Sequence, residues 1–235
     1  MTALDGVARD PSPRLEAPAA GGRPDASQVK PLLRGWMHLA WFEASLVVGT
    51  LVVVHAHGAL RVTAVAIFAA CVSGMFGVSA LYHRCNWTAT WRRRLQRLDH
   101  TMILLLIAGT ATPAFLLTTH GVVRVTCLAV MWVFTLTVLG IRMAWMNAPE
   151  RLVGSLYIGL GLMGGLALPA VWLHSGATAG ALMLAGGLLY TAGALSYHRR
   201  WPDPSPAVFG YHEVFHVFVC AAATCQYVAI ALFIA

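Results

Sequence analysis

From Trp36 to its last residue the chain is a succession of seven apolar runs, at roughly 36–54, 62–82, 99–119, 122–141, 152–173, 178–197 and 212–234. A run of about 20 residues, rising about 1.5 Å per residue as a helix, crosses a hydrocarbon core of about 30 Å. Lipid offers the backbone amides no partner, so each run must satisfy its own, and only a helix does this within one segment. The fold class that follows is an all-α membrane protein, a seven-transmembrane helix bundle. Composition agrees, since 11% of the 235 residues are charged and 58% apolar, against about 25% charged in soluble domains. Pro113 and Pro169 fall inside the third and fifth runs, where lipid-spanning helices tolerate a kink. Gly161 and Gly165 have the spacing that lets two helices approach closely.

The bases orient the bundle. Fourteen of the 16 Lys and Arg residues fall in the amino-terminal tail and the second, fourth and sixth loops, leaving Arg61 and Arg124 for the other side. The positive-inside rule then places the amino terminus in the cytoplasm and the carboxyl terminus outside. Residues 1–33, with Pro11, Pro13, Pro18 and Pro24 among mixed charges and no apolar period, read as a disordered cytoplasmic tail, and 34–235 as the membrane domain. No cleavable signal peptide is apparent, so the first span serves as the targeting signal. A net charge of +7 does not imply nucleic acid, because the bases are dispersed among short loops. Cys71, Cys85, Cys127, Cys220 and Cys225 show neither a disulfide framework nor a C-x-x-C, and read as small apolar packers.

Polar side chains are costly in lipid, so their placement is informative. His212 and His216, four residues apart, share one face of the seventh span and can reach one ion. The second span ends with Ser79 and, one turn on, His83; the third begins with Asp99. In the derived topology all five lie near the cytoplasmic surface. Three neutral imidazoles, His83, His212 and His216, with a fourth position for water would form a catalytic-type zinc site, and bound water can ionise at a pH of about 7. Asp99 could orient that water and accept its proton; Ser79 could donate to the water or to a substrate oxygen. His38, His55, His57, His100, His120, His174 and His198 read as ordinary packing or hydrogen-bonded residues. Glu43, inside the first span, is expected to face the bundle interior.

His212-Glu213-Val214-Phe215-His216 also matches H-E-x-x-H, the zinc protease signature with glutamate as general base. Glu213 lies one residue off the histidine face and reads as a bystander, with Asp99 the better base.

Ser79-Ala80-Leu81-Tyr82-His83, Leu98-Asp99-His100 with Ala108-Gly109-Thr110-Ala111-Thr112-Pro113, Trp201-Pro202-Asp203-Pro204 and the His212–His216 pentad together resemble the progestin and adipoQ receptor family in its bacterial hemolysin III branch. The resemblance implies a seven-helix bundle in the plasma (inner) membrane with an internal amino terminus. It implies zinc on His83, His212 and His216, with Asp99 and Ser79 positioning the bound water. It also implies kinship with alkaline ceramidases, hence hydrolysis of a lipid amide or ester, with a membrane lipid as substrate or ligand and a link to membrane homeostasis. Many relatives have a further histidine near the position of Gln226. Two alternatives to the hydrolase are a membrane sensor or receptor with a structural zinc and a hemolysin or cytolysin; no span carries the recurring charges of an aqueous pore.

Overall fold

A computed structural model describes residues 30–145 and 149–235. They form seven helices: α1 Trp36–His55, α2 Ala59–Arg84, α3 Ala89–Thr118, α4 Gly121–Ala144, α5 Glu150–Gly165, α6 Leu168–Arg199 and α7 Tyr211–Ala229, the last ending in a π turn at Ile230–Ile234. Six are long and apolar enough to cross a membrane, and the apolar part of α5, Leu152–Gly165, is shorter. The molecule is an all-helical membrane bundle.

Its departures from the sequence reading have local causes. Helix α3 begins at Ala89, with Thr88 as amino-terminal cap, so Arg92, Arg93, Arg94 and Arg97 extend the helix where a loop was expected. The fifth run does not bend at Pro169 but stops at Gly165, and Pro169 lies in the first turn of α6, where its missing N–H costs nothing. The bend comes instead at Gly176, whose φ of 88° breaks α6. Gly161 and Gly165 face open space, so they are not a point of close helix approach. Such approaches occur elsewhere: a Cβ on Gly109 would stand 2.5 Å from Cys71 Cβ, and one on Gly77 2.8 Å from the Phe42 ring. All five cysteines are free, and Cys85 is exposed.

The core runs along α3, which packs against α2, α4, α5 and α6. Phe68, Phe76, Leu104, Phe115 and Met131 are fully buried in it. Helix α1 is peripheral and buries a narrow face: Phe42 lies on Gly77, Ser45 Oγ donates to Ser73 Oγ at 2.9 Å, and Gly49 approaches Ala69. Glu43 is turned away from that stripe and is exposed, which corrects its expected interior placement. The tail assignment falls mostly outside the described residues. Its final part is pinned, however, because Leu32 and Leu33 donate their N–H groups to Ala207 O and Val208 O, each at 3.1 Å.

Candidate metal centre

The site is assembled at the arginine-rich end of the bundle, where the first turn of α7 meets the end of α2. Asp203, in the Trp201-Pro202-Asp203-Pro204 turn, accepts from Tyr211 N at 2.9 Å, and Glu213 Oε2 accepts from Gly210 N at 2.8 Å. These bonds satisfy donors that a helix start leaves open. The other oxygen of Glu213 pairs with Arg34, just before α1, and Glu213 is fully buried. Lys30 Nζ donates to Arg84 O at 3.2 Å. Burial, then the neighbouring Arg84 and Arg34, lower the Lys30 pKa below its ordinary value. The segment leading into α1 is thus a strap tying the end of α2 to the start of α7.

Gly35 lets this strap lie close. Its φ is +79°, and a Cβ there would come within 2.8 Å of His83 Cβ. The Gly35→Ala variant is therefore expected to lose about 1–2 kcal/mol, from the left-handed backbone and the clash together. Thermal unfolding in detergent tests this, and an unchanged midpoint would contradict the close packing.

Within this frame His83, His212 and His216 gather, each offering one ring nitrogen within 4.8 Å of the others. His83 and His216 are buried and His212 is partly so. His83 Nε2 and His212 Nε2 stand 3.3 Å apart. Two nitrogens each about 2.0–2.1 Å from one tetrahedral ion would be about 3.3–3.4 Å apart, so the pair has the spacing of two ligands. His216 Nδ1 is buried without a hydrogen-bond partner, an open donor site consistent with the same need. The donor set, all imidazole nitrogen, suits borderline transition metals rather than calcium or magnesium. The residues fit a metal ion.

Asp99 Oδ2 lies 3.9 Å from His83 Nε2, with the carboxylate 14% exposed. Ser79, one turn from His83, is buried, and its Oγ is 2.9 Å from His38 Nδ1. His38 was set aside on sequence grounds, yet it belongs here: it is 2% exposed and its ring stacks on His216, centroids 3.7 Å apart and planes 19° apart. The available signal was spacing: His38, Phe42, Ser45 and Gly49 recur on one face of α1, and His38, Ser45 and Gly49 are buried there. His100 stays outside the cluster, beside Arg142 Nη2 at 3.5 Å, and its carbonyl accepts from Tyr157 Oη at 2.9 Å. His120 and His174 stack on each other, 6.0 Å between centroids. Gln226 lies ten residues beyond His216 on α7, about 15 Å along the axis, and takes no part.

A multi-pass helical membrane protein with three histidines, from the ends of two helices, gathered so that they could hold a metal ion is the class this architecture defines. The chain belongs to the haemolysin-III-related family, whose model matches residues 26–227. Hemolysin-3 of Bacillus cereus is 26% identical over 196 residues, 81% of this chain and 86% of that protein. The heptahelical transmembrane protein ADIPOR2 of rice (Oryza sativa subsp. japonica) is 41% identical over 91 residues, 34% of this chain and 40% of its own. The hemolysin-3 homolog of Bacillus subtilis (strain 168) is 25% identical over 134 residues, covering 57% and 60% respectively.

Proposed function

We propose that this chain is a zinc-dependent intramembrane hydrolase of an amide or ester bond in a membrane lipid. The observation that carries the reading is the carboxylate of Asp99 beside three gathered imidazoles, with no fourth histidine or cysteine joining the group among the described residues. A structural zinc site is closed by four protein ligands, whereas three with an open position are the catalytic arrangement. Bound by His83, His212 and His216, the metal would supply Lewis acidity toward a carbonyl oxygen and an acidified water.

The remaining chemistry belongs to the chain's own groups. Asp99 Oδ2 would take one proton from the water that adds to the carbonyl carbon and return it to the amide nitrogen or ester oxygen as the bond from that atom to the carbon breaks, leaving a carboxylic acid and an amine or alcohol. With His38 protonated at Nδ1, the ring donates to Ser79 Oγ, and the Ser79 hydroxyl proton is left to donate to the Asp99 carboxylate, which orients it toward the attacking water. Stacking on His216 holds His38 for this task.

Seven spans with a cytoplasmic amino terminus complete the proposal, in the plasma (inner) membrane. Seven helices and a basic excess at the histidine end support this orientation. On α5 and the first part of α6, the fifth crossing would be built from two pieces. The site then sits within a turn or two of the cytoplasmic interface, the depth of a headgroup linkage, which favours a lipid substrate and a role in membrane homeostasis.

Hydrolysis should be measured as fatty acid released from ceramides and glycerophospholipids by the purified, zinc-loaded protein. Asp99→Asn is expected to lower turnover about 10²–10⁴-fold, the usual worth of a positioned base, while zinc is retained. If the wild type releases no fatty acid from any of these lipids, the hydrolase reading fails and a receptor with a structural ion takes its place; if it does release it and Asp99→Asn matches it, Asp99 is not the base.

A further inference from the structure

The end of the bundle remote from the histidines holds a second concentration of positive groups. Arg61 and Arg124 are the two bases that the sequence assigns to that side, 63 positions apart, and the fold brings both to the wall of one cavity of about 410 Å³. His57 and His120 line it with them, and His174 stacks on His120. No acid lines it; along the chain, none occurs between Glu43 and Asp99 or between Asp99 and Glu150.

The backbone adds to the same field. Helix α2 starts at Ala59 and α4 at Gly121, both at this cavity, and neither has a side-chain cap or an acid in its first turn. Their open N–H groups and dipole ends are positive and lack the anionic side chain that usually balances them. Arg124 Nε is anchored to Thr119 O at 2.7 Å, which fixes its guanidinium on the wall. Arg61 is exposed and makes no ion pair among the described residues. Leu60, Leu117 and Ile234 supply an apolar part of the wall, so the cavity is basic at one place and greasy at another.

Two guanidiniums, two imidazoles and two bare helix starts with no carboxylate call for an anion with several acceptor oxygens. We propose that this cavity binds a phosphate oxyanion, carried by a lipid headgroup of the adjoining leaflet or as free inorganic phosphate. The apolar wall suits the first source, because glycerol and acyl carbons lie next to a headgroup phosphate. Placing the only two bases of that side in one cavity also accounts for their exception to the charge asymmetry.

The test uses the full chain in detergent, titrated with short-chain phosphatidylglycerol and, separately, inorganic phosphate, with binding followed by calorimetry and by the shift in unfolding temperature. Phosphatidylglycerol is expected to bind saturably. Arg61→Gln should weaken it about tenfold, the worth of one charge-assisted contact, and Arg61→Gln with Arg124→Gln should abolish it. Arg93→Gln, at the opposite end, should leave binding unchanged. Competition by inorganic phosphate at equal concentration assigns the site to the free ion, and failure to compete at hundredfold excess assigns it to the lipid; both support the oxyanion site. If the Arg124 change disturbs folding through its bond to Thr119, Arg61→Gln alone decides. Wild-type affinity in Arg61→Gln, or no saturable binding of either probe to the wild type, overturns the proposal.

Discussion

On the proposed reading, changing His216 to alanine is expected to abolish metal binding at the three-histidine group. A complete structural zinc site contributes about 10–16 kcal/mol of binding free energy, so an equal share assigns about 3 kcal/mol to each of four ligands. The loss corresponds to roughly 150-fold in affinity. His216 is 1% exposed, so water entering in place of its ring would have little access and the true loss should be larger. Metal analysis after size exclusion should give about one ion per wild-type chain and little in His216→Ala. Added zinc should raise the unfolding temperature of the metal-stripped wild type and not that of the variant, because a ligand stabilises only the fold that binds it. Asp99→Asn, which removes no imidazole, should keep its ion and its zinc-dependent stabilisation. Equal metal content in wild type and His216→Ala would remove the basis for the centre.

The parts of this site that were legible in the sequence are those that repeat a helical period or sit at the edge of an apolar run. His212 and His216 are one turn apart, Ser79 and His83 likewise, and Asp99 opens the lipid-length part of α3. Matching their depths needed only the span boundaries. What the sequence did not reveal depends on packing between helices distant in the chain. His38 looked like any histidine near an interface until α1 was seen to lie with that residue against Ser79 and His216. Glu43 was expected inside because ionisable groups in lipid usually are. In the structure α1 buries only one stripe, and Glu43 lies off it and is exposed. The break at Gly165–Leu168 was hidden because hydropathy continues smoothly across it, and only the backbone, with Pro169 at a helix start, divides the run.

The largest effect on folding is expected from Glu213, the residue that a protease reading would make the base and that sequence position made a bystander. The structure gives it a different task. One oxygen takes the Gly210 N–H at the start of α7 and the other pairs with Arg34 ahead of α1, so a single buried side chain fixes the helix that bears two candidate ligands to the strap crossing the third. Breaking a buried ion pair by removing one partner costs about 3–5 kcal/mol, because the remaining charge is left uncompensated. Arg34 is 20% exposed and can partly rehydrate, which places Glu213→Gln near the lower figure, about 3 kcal/mol. Glutamine can still accept from Gly210 N, so most of this loss should come from the Arg34 interaction. Combining Arg34→Met with Glu213→Gln should then recover part of the stability lost in Glu213→Gln alone, since no charge is left without a partner. A zinc protease predicts the reverse pattern, with activity abolished and unfolding temperature unchanged. A falling unfolding temperature with partial rescue by Arg34→Met identifies Glu213 as the clamp that holds α7 in place for His212 and His216.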